Sequence, residues 1–390
     1  MASIEPSALN VESAVRQRYG EAARAREEAL CCPTNYDPRF LEVIPEEVLV
    51  KDYGCGDPSV HARRGDRVLD LGSGAGKIAF ILSQVVGREG RVTGVDFHDD
   101  MLELSRSHQR TVGERLGWHN VEFRKGRIQD LALDLDRIEA YLQQRPVRST
   151  ADLEALREEE ERLRREQPLV PDGSVDLVVS NCVLNLVRSE DKAAMFGEIF
   201  RVLDRGGRVA IADIVSDEDV PDRLQHDPEL WSGCISGAFR EDAFLHAFEA
   251  AGFHGVALAS WAEQPFAVVE GIEFRSVTVT AHKGKQGPCY EHNQAVVYRG
   301  PYRRVLDDDG HAYPRGTRVA VCAKTFHLLR SGPYAADFVF VEPRAVVPAD
   351  STAPFDCART APRHPRETKG MEYQVTATGT ACGSSGTDCC

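Results

Sequence analysis

The sequence predicts an α/β fold: a doubly wound, seven-stranded sheet with a helical insertion, followed by a small β-rich C-terminal module. Three observations predict it. Residues 67–76 read RVLDLGSGAG, an apolar strand pattern ending in a turn with Gly72, Gly74 and Gly76, which allows positive φ and close approach of a ligand to backbone. Asp96 stands twenty residues past Gly76, at the end of a second apolar run, where an acid can accept hydrogen bonds from both hydroxyls of a ribose. Beyond it, strand-like and helix-like segments alternate as far as Asp213.

Taken in order, residues 1–66 read as an N-terminal region with a helical lid and cysteine-bearing turns. Residues 1–10 form a loose terminus, and 11–29 are charged, alanine-rich and helical, carrying Tyr19. Cys31-Cys32-Pro33 ends that helix, because proline disfavours helix at the residue before it. Gly54-Cys55-Gly56, with Pro58 close behind, places Cys55 on an accessible turn. The α/β unit spans 67–283, with strands at 67–71, 91–95, 121–125, 174–180, 208–212, 255–262 and 274–282. Helices are expected at 77–86, 101–116, 192–203 and 241–251. Residues 134–170 interrupt it as a helical insertion, where Glu and Arg recur three and four apart on a solvated helix. Residues 284–342 hold strand-like segments (QAVVYRG, RVAVCAKTF, FVFVEP), and 343–390 read as a flexible tail with Cys382, Cys389 and Cys390.

Net charge is −14 with a pI near 5.4, which argues against nucleic acid or an anionic membrane surface as partner. No apolar run reaches the ~18–20 residues of a membrane span, and no signal-peptide pattern opens the chain. A cytoplasmic setting follows, with the eleven cysteines reduced. The absence of any C-x-x-C pair argues against a zinc ribbon. Oligomeric state is not legible.

Ligand chemistry is partly legible. A dinucleotide pattern begun at Gly72 needs glycine at position 77, where Lys77 stands. Asp70, just before the turn, would repel a pyrophosphate but can pair with the amino group of an amino-acid moiety, which favours S-adenosylmethionine over NAD. Here the chain resembles the class I (Rossmann-like) methyltransferases. That resemblance implies cofactor contacts from Asp70, Gly72, Ser73, Gly74, Gly76, Asp96, Phe97, Met101, Ile128, Gln129 and Asn181, with Tyr19 from the lid.

In a doubly wound sheet Cys182 follows strand four and Cys234 lies in the loop after strand five, so both converge with the Gly72 turn at one sheet edge. Cys55 precedes strand one and enters at the opposite end, from which it could swing onto the same opening. Thiolates beside a methyl donor would hold a soft, thiophilic centre. A lone cysteine after a strand is more commonly a small buried hydrophobe. The contexts YGCG, SNCVLNL and CISGA, with GGRVAIADIV between the last two, resemble the three cysteine motifs of the arsenite S-adenosylmethionine methyltransferases over residues 11–283. The resemblance implies that Cys182 and Cys234 hold trivalent arsenic as thiolates. Cys55 is then a third ligand or a disulfide partner of Cys31 or Cys32. It further implies attack of the arsenic lone pair on the sulfonium methyl. Glutathione or thioredoxin restores the trivalent state, and arsenite or its thiol conjugates is the substrate. Three positions depart from that family: Lys77-Ile78-Ala79 in place of an acid after the loop, Phe97 in place of Met, and Gln129 in place of Glu. Two alternatives stay open: a methyltransferase for a small organic molecule with structural cysteines, and a metalloid-binding protein without turnover. Cys289 and Cys322 read as structural.

Overall fold

Strands β1 (Arg67–Leu71), β2 (Arg91–Asp96), β3 (Val121–Lys125), β4 (Val175–Asn181) and β5 (Leu203–Ser216) pair in parallel in the order β3-β2-β1-β4-β5. The computed structural model describes residues 11–24, 34, 36–51, 53–348, 352–358 and 360–370. Residues 1–10, Cys31, Cys32 and the tail cysteines Cys382, Cys389 and Cys390 lie outside them. The chain divides into two units, Met1–Gly284 and Lys285–Cys390.

In the first unit β1 is buried on both faces from Val68 to Leu71, as a central parallel strand must be when helices cover both sides. The sheet continues through β6 (Phe239–Arg240), β7 (His254–Trp261), β8 (Ala267–Val269) and β9 (Ile272–His282). β9 inserts antiparallel between β5 and β7, completing the seven-strand path. The sheet has nine strands rather than seven, because β6 adds to β5 and β8 folds back on β9. Glu270 and Gly271, both at positive φ, make the tight turn that this last hairpin needs.

The helices are α1 (Val11–Arg24), α2 (Pro38–Leu41), α3 (Glu46–Val50), α4 (Lys77–Val86), α5 (Asp99–Leu116), α6 (Leu135–Gln144), α7 (Thr150–Glu166), α8 (Lys192–Val202), α9 (Asp222–Gln225), α10 (Pro228–Ser232) and α11 (Glu241–Ala250). Two apolar layers sandwich the sheet. On one face Phe80, Ile81 and Leu82 of α4 pack with Val68, Val92 and Met101. On the other, Phe196, Phe244, Phe248 and Phe253 pack with Val178 and Ile211. Each such large side chain contributes about 1.5–3 kcal/mol by leaving water. The insertion is the pair α6–α7, which buries Ile138 and Leu163 against Leu133 and ties Arg164 to Asp130 at 2.9 Å. Lys77 is buried with its ammonium 4.5 Å above the centre of the Tyr36 ring.

The second unit has a sheet β13-β10-β14, formed by β10 (Ala295–Tyr298), β13 (Arg318–Ala320) and β14 (Phe338–Val341). A hairpin of β11 (Arg304–Leu306) and β12 (Ala312–Pro314) accompanies it. Two expectations are corrected. RVAVCAKTF is a strand only to Ala320, since the Cys322 sulfur caps helix α12 (Ala323–Arg330) by accepting from Thr325 N–H. Part of the expected flexible tail is folded: Pro362 bridges Val319, buried Arg363 pairs with Glu291, and α13 (Pro365–Lys369) carries a capping box.

Candidate active site

The Gly72–Gly76 turn leaves the carboxyl end of β1, Asp96 ends β2, and Cys182 follows β4. The edge next to β1 and β4 is the switch point of the sheet, and a cleft of about 940 Å³ including its mouth opens there. Its wall includes Tyr19, Gly72, Gly74, Asp96, Phe97, Met101, Ile128, Gln129 and Cys182. Asp70, Ser73, Gly76 and Asn181 are not part of that wall. Asp70 is buried behind the glycine turn, and Asn181 serves the cysteines. The sequence reading missed Val15 on α1, and Lys51, Tyr53, His98, Arg127, Val183, Leu186, Val187 and Arg188, which lie between the main strands and helices without a pattern of their own.

The donor set suits a nucleoside-bearing cofactor. A Cβ on Gly72 would lie 2.4 Å from Val183 Cγ1, so only glycine keeps this backbone open to the cleft. Asp96 accepts Gly74 N–H at 2.9 Å and His98 N–H at 2.8 Å, one on each oxygen, leaving a lone pair on each for hydroxyls. Burial pushes its carboxyl up, and those N–H donors oppose the shift. His98 lines the same cleft; its Nε2 bonds the Arg16 carbonyl at 2.8 Å, while its buried Nδ1 has no partner.

The three cysteines meet in one buried cluster with Ile214, Leu224, Ile235 and Phe274. Cys182 and Cys234 are both held at positive φ, 60° and 63°, a costly backbone for a side chain bearing Cβ and a pointer to function. Cys234 Sγ donates to the Cys182 carbonyl at 3.1 Å. Asn185 of the SNCVLNL run donates to the Ile214 and Cys234 carbonyls, fastening the Cys234 loop to β5. Asp213, fully buried within β5, accepts the N–H groups of Leu184 and Ile214, both at 2.8 Å. Burial still lifts its carboxyl to about 6. From α1, the Tyr19 hydroxyl reaches Cys234; burial, then the neighbouring Cys234 sulfur, pushes that hydroxyl well above its ordinary value. Arg18 bonds the Glu229 carbonyl at 2.8 Å, and Tyr53 bonds the Ala22 carbonyl at 3.1 Å, so α1 closes over the cleft.

Cys55 enters at the carboxyl edge, not the opposite end of β1. It is joined to Cys182 in a disulfide, with Cα atoms 5.8 Å apart. Cys31 and Cys32, the expected alternative partners, lie outside the described residues, and the bond to Cys182 departs from the fully reduced reading. The cause is Asn181. Its Oδ1 accepts Cys55 N–H at 2.9 Å and Gly56 N–H at 3.1 Å, and its Nδ2 donates to Gly56 O at 2.8 Å. Gly54 permits the fit, since a Cβ there would lie 2.2 Å from Asn181 Nδ2. Asn181 is thus the residue that presents Cys55 to its neighbour Cys182.

Fold and cleft together define an S-adenosylmethionine-dependent class I methyltransferase, and the family described as "Methyltransferase domain" matches residues 62–167 and 135–252. An arsenite methyltransferase of Aquipseudomonas alcaligenes is 30% identical, over 85% of this chain and 91% of that protein. The arsenite methyltransferase of Mus musculus is 29% identical, over 81% of this chain and 77% of that protein. The crystal structure of an arsenic(III) S-adenosylmethionine methyltransferase from Chlamydomonas reinhardtii superposes with a TM-score of 0.55 at 27% identity, covering 83% of this chain and 100% of that one. The chain belongs to the arsenite methyltransferase family. Residues 285–373 match a domain of unknown function (DUF8838).

Proposed function

We propose that Cys55, Cys182 and Cys234 hold trivalent arsenic at the inner end of the cofactor cleft and present it for methylation. The observation that carries this is the convergence of three sulfurs, from segments far apart in sequence, in one buried cluster, with Cys182 also in the cleft wall. S-adenosylmethionine, held by the Gly72–Gly76 backbone, Asp96, Met101 and Ile128, supplies an electrophilic methyl group. Thiolate ligation keeps arsenic electron-rich, so no protein base is required. Tyr19 and α1 exclude water and hold Cys234 in place, and positioning is the main contribution of the chain. Each methylation raises arsenic formally by two electrons. Two thiols closing to a disulfide return two electrons and release two protons. The Cys55–Cys182 disulfide is the oxidised form such a step leaves, and an external thiol such as glutathione or thioredoxin reopens it. Glutathione also delivers arsenite as a thiol conjugate. The reaction belongs in a reducing cytoplasm; among the described residues no helix is long and apolar enough to cross a membrane.

The test is product speciation. Purified protein with arsenite, S-adenosylmethionine and glutathione should yield methylated arsenicals by chromatography with arsenic-selective mass detection. Cys182→Ser and Cys234→Ser should yield none while still binding S-adenosylmethionine. Wild-type yields from either variant would sink the assignment.

A further inference from the structure

Unit Lys285–Cys390 brings together a second set of thiols that neither the sequence pattern nor the cleft accounts for. The sulfurs of Cys289, Cys322 and Cys357 all lie within 4.8 Å of one another. Backbone ties hold them there: Phe355 N–H donates to the Cys289 carbonyl at 2.9 Å, and Ala323 N–H to the Tyr290 carbonyl at 2.9 Å. Three segments are therefore fastened to one another beside the thiols they carry. The Cys357 carbonyl bonds His311 Nε2 at 2.6 Å, while Nδ1 of that ring bonds Asp307 at 2.8 Å.

We propose that Cys289, Cys322 and Cys357 form a second, three-sulfur binding site for trivalent arsenic. The site is independent of the cleft chemistry. Coordination number decides the ligand class. Structural zinc takes four protein ligands. Among the described residues three sulfurs converge here, and His311 beside them has both ring nitrogens engaged in other bonds. A three-coordinate pyramidal centre with a lone pair suits that set, and soft thiolates select it over hard cations.

Cys322 sits at the N-cap of α12, accepting Thr325 N–H at 3.3 Å and facing Thr325 Oγ1 at 3.2 Å. Burial raises the Cys289 thiol, but hydrogen bonds from Cys357 and Cys322 and the Lys324 ammonium outweigh it and leave the thiol below its ordinary value. Cys357 is pushed up, by burial and then by those same neighbours. Loading balances without a redox step: each thiol proton leaves with one hydroxyl of arsenous acid as water, giving three As–S bonds and three waters. Cys289 and Cys357 are only half-buried, which leaves the group accessible from solvent.

The experiment uses the full-length chain with only Cys289, Cys322 and Cys357 retained and the other eight of its eleven cysteines changed to serine. After reduction, arsenite is added, unbound arsenic is removed, and the remainder is counted and examined by arsenic X-ray absorption. One arsenic per chain with three sulfur neighbours is expected. Adding Cys357→Ser should weaken retention at least tenfold. In the otherwise native chain, Cys357→Ser should lower bound arsenic by one equivalent, which reads the site even if the eight-fold variant folds poorly. No loss on Cys357→Ser in the native chain overturns the proposal. So does zinc that co-purifies in this site and is not displaced by arsenite. Failure of methylation in the cleft variants leaves this result untouched.

Discussion

Replacing Asn181 with alanine should detach Cys55 from Cys182 while leaving the sheet intact. Asn181 makes four hydrogen bonds: from Cys55 N–H and Gly56 N–H, and to Gly56 O and the Tyr36 hydroxyl at 3.2 Å. Alanine strands one buried and one half-buried backbone donor, each costing up to about 1–3 kcal/mol when unsatisfied. Water entering the vacated space recovers part of this, so about 3 kcal/mol remains. In the oxidised protein the disulfide still tethers the turn, and the loss should appear as a lowered urea midpoint. In the reduced protein the turn is released, so the equilibrium for closing Cys55–Cys182 should fall roughly 100-fold, at 1.4 kcal/mol per tenfold. For a two-electron couple that is about 60 mV, measurable by titration against glutathione with thiol-specific mass labelling. Asn181→Asp should do no better, because one carboxylate oxygen then faces the Gly56 carbonyl. A variant with the wild-type redox equilibrium and stability within about 0.5 kcal/mol would refute the view that this side chain positions Cys55.

Gly72→Ala places a methyl 2.4 Å from Val183 Cγ1 at φ 64°, a backbone costing about 1–2 kcal/mol for a non-glycine residue. Calorimetry should show S-adenosylmethionine affinity reduced at least tenfold, and unchanged affinity would mean the turn does not approach the cofactor. Asp96→Asn must turn its amide toward one of the two N–H groups that the carboxylate accepts. Losing about 2 kcal/mol of charge-assisted bonding should raise KM for S-adenosylmethionine roughly 30-fold with kcat little changed. Asp213→Asn tests the buried carboxyl. Its folded pKa of about 6 lies above the unfolded value, so its stabilising contribution is whole below about pH 4 and lost as pH rises through 6. The unfolding free energy of the variant, measured against wild type from pH 4.5 to 7, should therefore gain by about 2 kcal/mol; a pH-independent difference would show Asp213 ionising freely.

The elements legible in the sequence were those with a local cause. RVLDLGSGAG announces a strand and turn because burial on both faces demands a continuous apolar run and the turn demands glycine. Asp96 stands out by its distance from that turn, and the charged α7 by its Glu–Arg spacing. β8 and β6 were not legible: a three-residue and a two-residue strand carry too little pattern to rise above loop. Helix α12 was hidden because VCAKTF is as compatible with a strand as with a helix until Cys322 caps it.

The sequence by itself determined the α/β plan, the cofactor turn and the cysteine contexts that mark the family, since each is written in neighbouring residues. Which sulfurs meet was decided only by tertiary structure. Asn181 was read as a cofactor contact, yet its hydrogen bonds reach back to a turn 125 and 126 positions away and bring Cys55 to Cys182. Cys289 and Cys322 read as structural, and Cys357 lay in a stretch expected to be loose. Their convergence depends on hydrogen bonds between backbone segments that composition does not encode. Thiol chemistry depends on a few ångströms, and those distances are set by pairing between segments far apart in the chain.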